Sequence, residues 1–145
     1  MLHGCAAALP HLRRGGCVVD LASASALYGQ PGLTSCSATK AAVCALTEAL
    51  DLEWAPHGVR VVDVLPLFVD TDMLDQARDL ASMRNLGVRL SADDVAAAVH
   101  AAALAPRRRA RGPHHPVGRQ ARLLAVGARA LPPALTRQFM ARLSR

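Results

Sequence analysis

The sequence predicts an α/β protein built around parallel strands. Two short apolar runs rich in β-branched residues, 17–22 and 59–65, are typical of buried strands. About 40 residues separate them, and the alanine-rich pattern over 34–55 between them predicts one long helix. A strand, a helix and a second strand in this order form a parallel βαβ unit.

The segments before the long helix follow the same plan. Residues 2–14 are apolar and alanine-rich, and an Arg-Arg-Gly-Gly stretch closes them, so we predict a helix that is short or kinked at Pro10. Residues 23–35 are small, polar and rich in glycine and proline, which predicts a loop after the first strand.

Two further helices are predicted after the second strand. Pro66 closes that strand, and Thr71 can cap a helix that runs to about residue 86. Ser91 and Asp94 have the spacing of a capping box ahead of an alanine-rich stretch, which predicts another helix.

Charge divides the chain into two parts. Residues 1–105 hold seven basic and eleven acidic residues, a net charge of −4, whereas 106–145 hold ten arginines and no acid, a net charge of +10. We therefore predict a folded domain over 1–105, followed by a basic linker and an amphipathic helical tail over 106–145.

Composition excludes several classes of protein. The chain is 52% hydrophobic and only 3% aromatic, so alanine, valine and leucine must build its core. No apolar run is long enough to cross a bilayer, and the positive charge near the start follows the apolar stretch, unlike in a secretory signal. The four cysteines show no CxxC spacing, which predicts reduced thiols and a cytoplasmic protein.

Polar residues cluster where the two predicted strands end. Ser23 directly follows the first strand, Cys36 stands thirteen residues later, and Lys40 lies four residues further at the start of the long helix. Pro66 and Thr71 belong to the loop after the second strand. Because ligands of parallel sheets bind beyond the carboxyl ends of the strands, we expect the chemistry between these loops.

These residues resemble a known family. The segment GGCVVDLASASALYGQPGLTSCSATKAAVCALTEAL is similar to the second half of a short-chain dehydrogenase/reductase, in which a strand ends in Ser and a Tyr-x-x-x-Lys motif follows thirteen residues later. GVRVVDVLPLFVDTDM resembles that family's next strand and its Pro-Gly-x-x-x-Thr loop. The resemblance covers about residues 1–105. It implies the carboxyl-terminal half of a Rossmann-like doubly wound sheet in a three-layer αβα fold, with NAD or NADP as cofactor and hydride transfer between an alcohol and a carbonyl.

The resemblance also implies a role for each matched residue. Ser23 would orient the substrate carbonyl, and Lys40 would hold the nicotinamide ribose while its charge assists an acid/base group one helical turn before it. Pro66, the backbone near Val69 and the hydroxyl of Thr71 would hold the nicotinamide carboxamide. The plain alternative for Lys40 is a solvated lysine at the start of a helix.

Departures from the family pattern predict an impaired enzyme. Cys36 stands at the position of the acid/base tyrosine, and its thiol is shorter than a phenol; Tyr28 is not four residues before Lys40 and is no obvious substitute. Leu67 replaces the glycine that follows Pro66 in the family. No glycine-rich phosphate-binding turn occurs in the 145 residues, so we expect a truncated chain that binds its cofactor poorly alone.

Two non-catalytic functions stay open. In the family the motif helix pairs with the preceding helix across a subunit interface, which implies a homo-oligomer through the helices around 2–14 and 34–55. Arginines alternate with apolar residues over 119–145, so the tail could lie on an anionic membrane surface as a peripheral protein, or cover the fold or a partner subunit. Nucleic-acid binding through the arginine run at 107–111 is less favoured, because Phe139 is the only aromatic residue of the tail.

No metal site is predicted. The pair His114-His115 lies between prolines and is expected in a solvated loop, and no Cys, Asp or Glu in the tail could complete a site. Cys36 is also considered as a reactive thiol, because it lies near a helix N-terminus and one turn from an ammonium. The other cysteines, at positions 5, 17 and 44, are expected to be packing residues.

Overall fold

A computed structural model describes residues 1–12, 15–72, 74, 80–106 and 112–145. Helices alternate with short strands along this part of the chain, and the prediction of an α/β protein with a parallel sheet is confirmed. In chain order the elements are α1 (Leu2–Ala8), β1 (Cys17–Leu21), α2 (Thr34–Trp54), β2 (Arg60–Leu65), α3 (Ala81–Leu86), α4 (Ala92–Leu104), β3 (His114–Pro116), α5 (Gly118–Ala130) and α6 (Pro133–Leu143).

The described strands form one parallel sheet in the order β1-β2-β3. Cys17 pairs with Arg60 and Asp20 with Asp63, while His114 of β3 lies opposite Asp63 on the other side of β2. Helix α2 is the crossover between β1 and β2, which parallel neighbours require. All six residues of the central strand β2 are buried.

Helices cover both faces of the sheet, because successive side chains of a strand point to opposite sides. Val61 packs with Trp54 and Cys5 on the side of α1 and α2, whereas Val64 packs with Ala102 on the side of α4. Fully burying one such aliphatic side chain stabilises the fold by about 1.5–3 kcal/mol. The side chains of β2 therefore stabilise the packing of both helical layers.

A left-handed glycine sets the turn between α2 and β2. Helix α2 ends at Trp54, a short 3-10 turn follows over Ala55–His57, and Gly58 has a φ of 73°. The amide of Gly58 donates to the Ala55 carbonyl oxygen at 3.0 Å. Only glycine adopts this backbone readily, so the chain reverses here and enters β2 directly.

Both ends of α4 are held by side chains. The Ser91 hydroxyl accepts from the Asp94 amide while the Asp94 carboxylate accepts from the Ser91 amide, which confirms the predicted capping box. At the other end the buried Arg60 guanidinium donates to the carbonyl oxygens of Ala102 at 3.3 Å and Ala103 at 2.8 Å. These are helix-terminal carbonyls that lack partners within the helix. Arg60 therefore ties α4 to the central strand.

The predicted continuous helix from Thr71 to about residue 86 is wrong, because Leu80 has an extended backbone. Thr71 lies in a bend, and the described helix α3 begins only at Ala81 with Leu80 at its N-cap. A 3-10 turn at Asp72 and Leu74 follows Thr71, with the Leu74 amide donating to the Thr71 carbonyl oxygen at 2.8 Å, and the Thr71 hydroxyl donates to the Val69 carbonyl oxygen. Residues 75–79 lie outside the described part.

The predicted solvated loop around the histidine pair is also wrong. Residues His114–Pro116 form β3, and both histidines are half-buried. A strand can end in proline where that residue lacks a ladder donor, as at a sheet edge or strand end. Pairing with β2, more than the local composition, makes this segment extended. The predicted arginine run at 107–111 lies outside the described residues.

The basic tail packs on the fold through two helices, which is one of the alternatives that the sequence left open. Helix α5 lies against β3 and the turn after β1 and buries Ala121 and Ala125, whereas α6 contacts α3 and buries Thr136 and Met140. Among the described helices, none combines the length and the apolar character that crossing a bilayer requires.

Candidate active site

A cleft of about 490 Å³ opens at the carboxyl ends of β1 and β2. Its walls come from the loop after β1, the first turns of α2, the loop after β2 and the start of α3. The structure brings all the predicted site residues to this cleft: Ser23, Cys36, Lys40, Pro66, Val69 and Thr71. Their catalytic and cofactor-binding roles stay predictions.

Ser23 begins a chain of short contacts across the cleft. It caps the short 3-10 turn Ala24–Ala26, since its hydroxyl oxygen accepts from the Ser25 amide at 3.2 Å, and its O–H donates to the Pro66 carbonyl oxygen at 3.4 Å. The Ser25 hydroxyl donates to Ser23 Oγ at 3.0 Å and lies 3.7 Å from Cys36 Sγ. Hydroxyl and thiol groups therefore connect the end of β1 to the head of α2.

Ser25 is a site residue that the sequence analysis missed. It is only 4% exposed, and its hydroxyl bridges the two predicted residues Ser23 and Cys36. The repeated Ser in "ASAS" was the available signal. The tight turn at residues 24–26 brings a second hydroxyl to the cleft two positions after the first.

Lys40 lies one helical turn after Cys36, and its side chain returns to the sheet. Its Nζ donates to the carbonyl oxygen of Leu21, the last residue of β1, at 2.7 Å. This bond holds the ammonium at the mouth of the cleft rather than leaving it fully solvated. Positions four apart share a helix face, so the ammonium and the Cys36 thiol point into the same space.

The loop after β2 forms the opposite wall and is fastened to the segment before α4. Val69 forms a parallel bridge with Leu90, and the Asp70 amide donates to the Leu90 carbonyl oxygen at 2.8 Å. Phe68 is buried beneath the loop. The backbone near Val69 and the Thr71 hydroxyl are thereby presented at the cleft, although Leu67 stands where the family has glycine.

A smaller apolar cavity of about 180 Å³ lies beside the cleft, between the turn after β1 and the helices α5 and α6. Gln30 borders both spaces. Its backbone N–H donates to Ser37 Oγ at 3.1 Å, and its buried side-chain Oε1 has no partner among the described residues. Tyr28 lines the smaller cavity and is not among the residues that line the cleft. The structure therefore brings no described phenol to Lys40.

Comparison with known proteins agrees with this geometry. A family model described as short chain dehydrogenase matches residues 1–81, more than half of the chain. The chain is 33% identical over 84 residues to the 2-(R)-hydroxypropyl-CoM dehydrogenase of Xanthobacter autotrophicus, covering 57% of this chain and 34% of that protein. It is 45% identical over 67 residues to the meso-2,3-butanediol dehydrogenase of Serratia marcescens, covering 46% and 27%.

Solved structures give the same result. A short chain dehydrogenase from Burkholderia cenocepacia in complex with NADP superposes with a TM-score of 0.69 at 29% identity, covering 97% of this chain and 53% of that one. The 3-ketoacyl-(acyl-carrier-protein) reductase of Brucella melitensis complexed with NADH gives 0.58 at 30% identity, covering 70% and 42%. The chain spans about half the length of these structures and about a third or less of the two relatives in its matched parts. By fold, motif spacing and family match, the chain belongs to the short-chain dehydrogenase/reductase family of oxidoreductases.

Proposed function

We propose that this chain supplies the nicotinamide end of an NAD(P)-dependent oxidoreductase that interconverts an alcohol and a carbonyl. We further propose that the 145-residue chain alone, with Cys36 at the acid/base position, transfers hydride slowly. The observation that carries the proposal is the single cleft that gathers Ser23, Cys36, Lys40 and Thr71. The titles of related structures name NADP and NADH, which supports a nicotinamide cofactor.

The cleft fits one end of such a cofactor. The Lys40 ammonium and the Thr71 hydroxyl are donors at its rim, and the loop around Val69 presents backbone groups between them. No glycine-rich turn that could cradle a pyrophosphate occurs in the 145 residues. When bound, the nicotinamide would supply or accept the hydride.

The residues of the chain would orient the substrate and handle the proton. Ser23 presents a hydroxyl, held by Pro66 and Ser25, that can donate to a carbonyl oxygen and stabilise its developing charge. The Lys40 ammonium adds a fixed positive charge at the same edge. A proton must then reach the substrate oxygen over hydrogen-bond distance.

Proton transfer is the step that Cys36 handles poorly. Its Sγ lies beside Ser25 Oγ at 3.7 Å, on the wall of the cleft. A phenol at this position would extend several ångströms further into the space that a substrate must occupy. General acid–base groups contribute about 10²–10⁴-fold to rate, so a thiol out of reach costs most of the turnover.

Binding and turnover should be measured separately. Reduced nicotinamide mononucleotide is the sharper binding probe, because it lacks the adenosine half; NADH and NADPH serve in turnover assays with a panel of ketones. Lys40→Met should abolish binding of the mononucleotide, whereas Arg119→Met, which removes an exposed cation on α5, should leave it unchanged. Cys36→Tyr should raise turnover at least tenfold over the wild-type chain.

Two results would contradict the proposal. If the Lys40→Met variant still binds the mononucleotide, the cleft is not the cofactor site. Turnover by the wild-type chain equal to that of Cys36→Tyr would show that the thiol is no handicap.

The exposed face of α2 supports assembly into an oligomer. Members of the family are commonly oligomers. Ala41, Ala45 and Ala49 are exposed along one side of α2, and Leu52 on the same helix is 76% exposed. Small residues permit close helix–helix approach, so we propose that this face and α1 pair with a second copy. Ala45→Glu should lower the mass measured by light scattering, whereas Glu53→Gln on the same helix should not.

The tail supports a second candidate function, binding to an anionic membrane surface. Leu123 is 72% and Val126 65% exposed on α5, next to Arg122 and Arg129, and residues 112–145 contain no acid. Apolar side chains flanked by arginines suit an anionic lipid headgroup region. The buried sides of α5 and α6 show that the tail also packs on the fold, so the proposal concerns its outer face only.

Vesicle co-sedimentation tests this second function. The chain should sediment with phosphatidylglycerol vesicles and not with phosphatidylcholine vesicles, and added salt should weaken the binding. Leu123→Ser should reduce it, while Leu52→Ser, an equally exposed position on α2, should not. Equal sedimentation of the two variants would exclude the tail as the binding surface.

A further inference from the structure

A partly buried polar cluster lies beneath α2, about one helical turn beyond Lys40 and away from the cleft. It joins three elements: Cys44 of α2, Asp63 of β2 and His114 of β3. One side-chain atom from each residue, of a type that binds metals, lies within 4.8 Å of the other two. His114 Nδ1 is 2.8 Å from Asp63 Oδ2, and His114 Nε2 is 2.7 Å from Glu48 Oε1.

The topology explains why these residues meet. His114 lies opposite Asp63 in the β2–β3 register, so their side chains emerge side by side on the same face of the sheet. Helix α2 crosses that face, and Cys44 and Glu48, four residues apart, share the side of α2 that approaches it. The contact spans 70 residues of chain, from Cys44 to His114.

Acidic side chains outnumber the bases that contact them among the described residues. The imidazole of His114 lies between Asp63 and Glu48, and its hydrogen bond with Asp63, more than that with Glu48, raises its pKa. Asp63 is fully buried, and its Oδ1 has no partner of good hydrogen-bond geometry among the described residues. The Cys44 thiol lies close enough to share a hydrogen bond with the same carboxylate. Asp20 lies opposite Asp63 on β1, is also buried, and accepts from the Thr47 hydroxyl at 3.0 Å. Burial, followed by the neighbouring Asp63 carboxylate, raises the pKa of Asp20.

Among the described residues, His114 is the base that contacts Asp63 and Glu48 directly, whereas the Asp20 carboxylate accepts from Thr47. Asp20, Asp63 and Glu48 face the cluster from β1, β2 and α2, whereas Lys40, one turn earlier on α2, is bonded at the cleft. A buried carboxylate needs a compensating charge, which a protonated His114 imidazole supplies to Asp63. A metal cation between the three elements would supply that charge in place of the Nδ1 proton.

The hydrogen bond to Glu48 fixes the orientation of the imidazole. If the Nε2 proton of His114 is donated to Glu48, the Nδ1 lone pair points at Asp63 Oδ2, only 2.8 Å away. A lone pair and a carboxylate oxygen repel at this distance unless a proton or a metal ion lies near both. A carboxylate that accepts from the outer nitrogen is the usual support of a metal-binding histidine.

We propose that Cys44 Sγ, the Asp63 carboxylate and His114 Nδ1 bind one divalent cation of the zinc class. Thiolate, imidazole and carboxylate are the donor set that zinc prefers, at about 2.3, 2.0–2.1 and 2.0–2.2 Å. Small side-chain rotations would bring donors that lie within 4.8 Å of one another to a shared ion, and a fourth ligand would come from outside these three residues. The site departs from the sequence-based expectation of no metal, which considered partners within the tail only.

Metal binding must displace the proton of the Cys44 thiol to solvent. Burial is the largest cause that raises the pKa of Cys44 to about 12, with the Asp63 carboxylate adding to it. The thiol is therefore protonated without metal, and thiolate formation reports directly on occupancy. The ion would fasten α2 to β2 and β3 and so hold the helix that carries Cys36 and Lys40.

Cobalt titration of the reduced 145-residue chain tests the proposal. One equivalent of Co²⁺ should produce the charge-transfer absorption of thiolate-bound cobalt, and Zn²⁺ should displace it. Cys44→Ser should abolish the band, and His114→Gln should weaken binding at least tenfold. The matched controls Cys17→Ser and His100→Gln remove a thiol and an imidazole elsewhere and should leave the titration unchanged.

A second measurement does not depend on the variants folding. In the wild-type chain Zn²⁺ should slow alkylation of Cys44, read by mass spectrometry, without slowing that of Cys36. The proposal is overturned if the wild-type chain shows no thiolate–cobalt band, if the band persists in Cys44→Ser, or if Zn²⁺ leaves Cys44 alkylation unchanged. In those cases a protonated His114 held between Glu48 and Asp63 accounts for the cluster.

Discussion

Replacing Arg60 by methionine should destabilise the fold by loosening α4 from the sheet. Arg60 is 7% exposed, and its guanidinium donates to the carbonyl oxygens of Ala102 and Ala103 at the end of α4. Methionine keeps most of the apolar stem but has no donor. Both terminal carbonyls would then lose their partner inside the protein.

The expected magnitude follows from those contacts. A hydrogen bond to a charged group contributes about 1.5–3 kcal/mol, so two carbonyl acceptors set an upper range of about 3–6 kcal/mol. Relief from burying the guanidinium, together with retained stem packing, reduces this loss. We expect Arg60→Met to lower the free energy of unfolding by about 2–4 kcal/mol.

Urea unfolding followed by circular dichroism measures the change, provided that the slope against urea concentration stays constant. Arg119→Met, at an exposed position of α5, is the control and should change the free energy of unfolding by less than about 0.5 kcal/mol. Arg60→Lys should fall between wild type and Arg60→Met, because an ammonium lacks the planar fork that reaches two carbonyls. Equal stability of Arg60→Met and the Arg119→Met control would refute the reasoning.

Further predictions concern packing, capping and backbone. Leu65→Ala, at a position 1% exposed on β2, should cost about 2–5 kcal/mol in urea unfolding, whereas Leu52→Ala should cost less than about 0.5 kcal/mol. Ser91→Ala removes the cap of α4 and should cost about 1 kcal/mol by the same measurement. Hydrogen bonds from Ser91 lower the pKa of Asp94. The ionised Asp94 carboxylate therefore stabilises the protein fully above the ordinary pKa range of a carboxyl group, and this stabilisation is lost as the pH falls. The difference in stability between wild type and Asp94→Asn should shrink on acidification below about pH 4. Gly32 has a φ of 80° and faces the Leu80 side chain, so Gly32→Ala should lower the thermal midpoint; an unchanged midpoint would mean that the loop relaxes.

Local sequence patterns were sufficient to predict the elements whose formation depends on neighbouring residues. The β-branched runs predicted β1 and β2, and the Ser91–Asp94 spacing predicted the start of α4, because strand propensity and capping depend on neighbouring residues. The segment from His114 to Pro116 shows no such local pattern. Its extended form depends on hydrogen bonds with β2, which no local pattern reports.

The candidate site was predictable for those residues whose spacing in the motif places them at the same edge of the sheet. Ser23, Cys36 and Lys40 meet at one cleft because a strand end and the head of the following helix are adjacent in any βαβ unit. Ser25 was not predictable in the same way. Its bridging position depends on a tight turn whose geometry appears only in three dimensions.

By itself the sequence determined the family, the parallel βαβ core, the presence of Lys40 at the motif position and the absence of a tyrosine four residues before it. These features depend on order and spacing along the chain. Only the tertiary structure decided which distant residues share a buried space. Cys44, Asp63 and His114 come from three elements, and strand register together with the path of α2 brings them within 4.8 Å of one another.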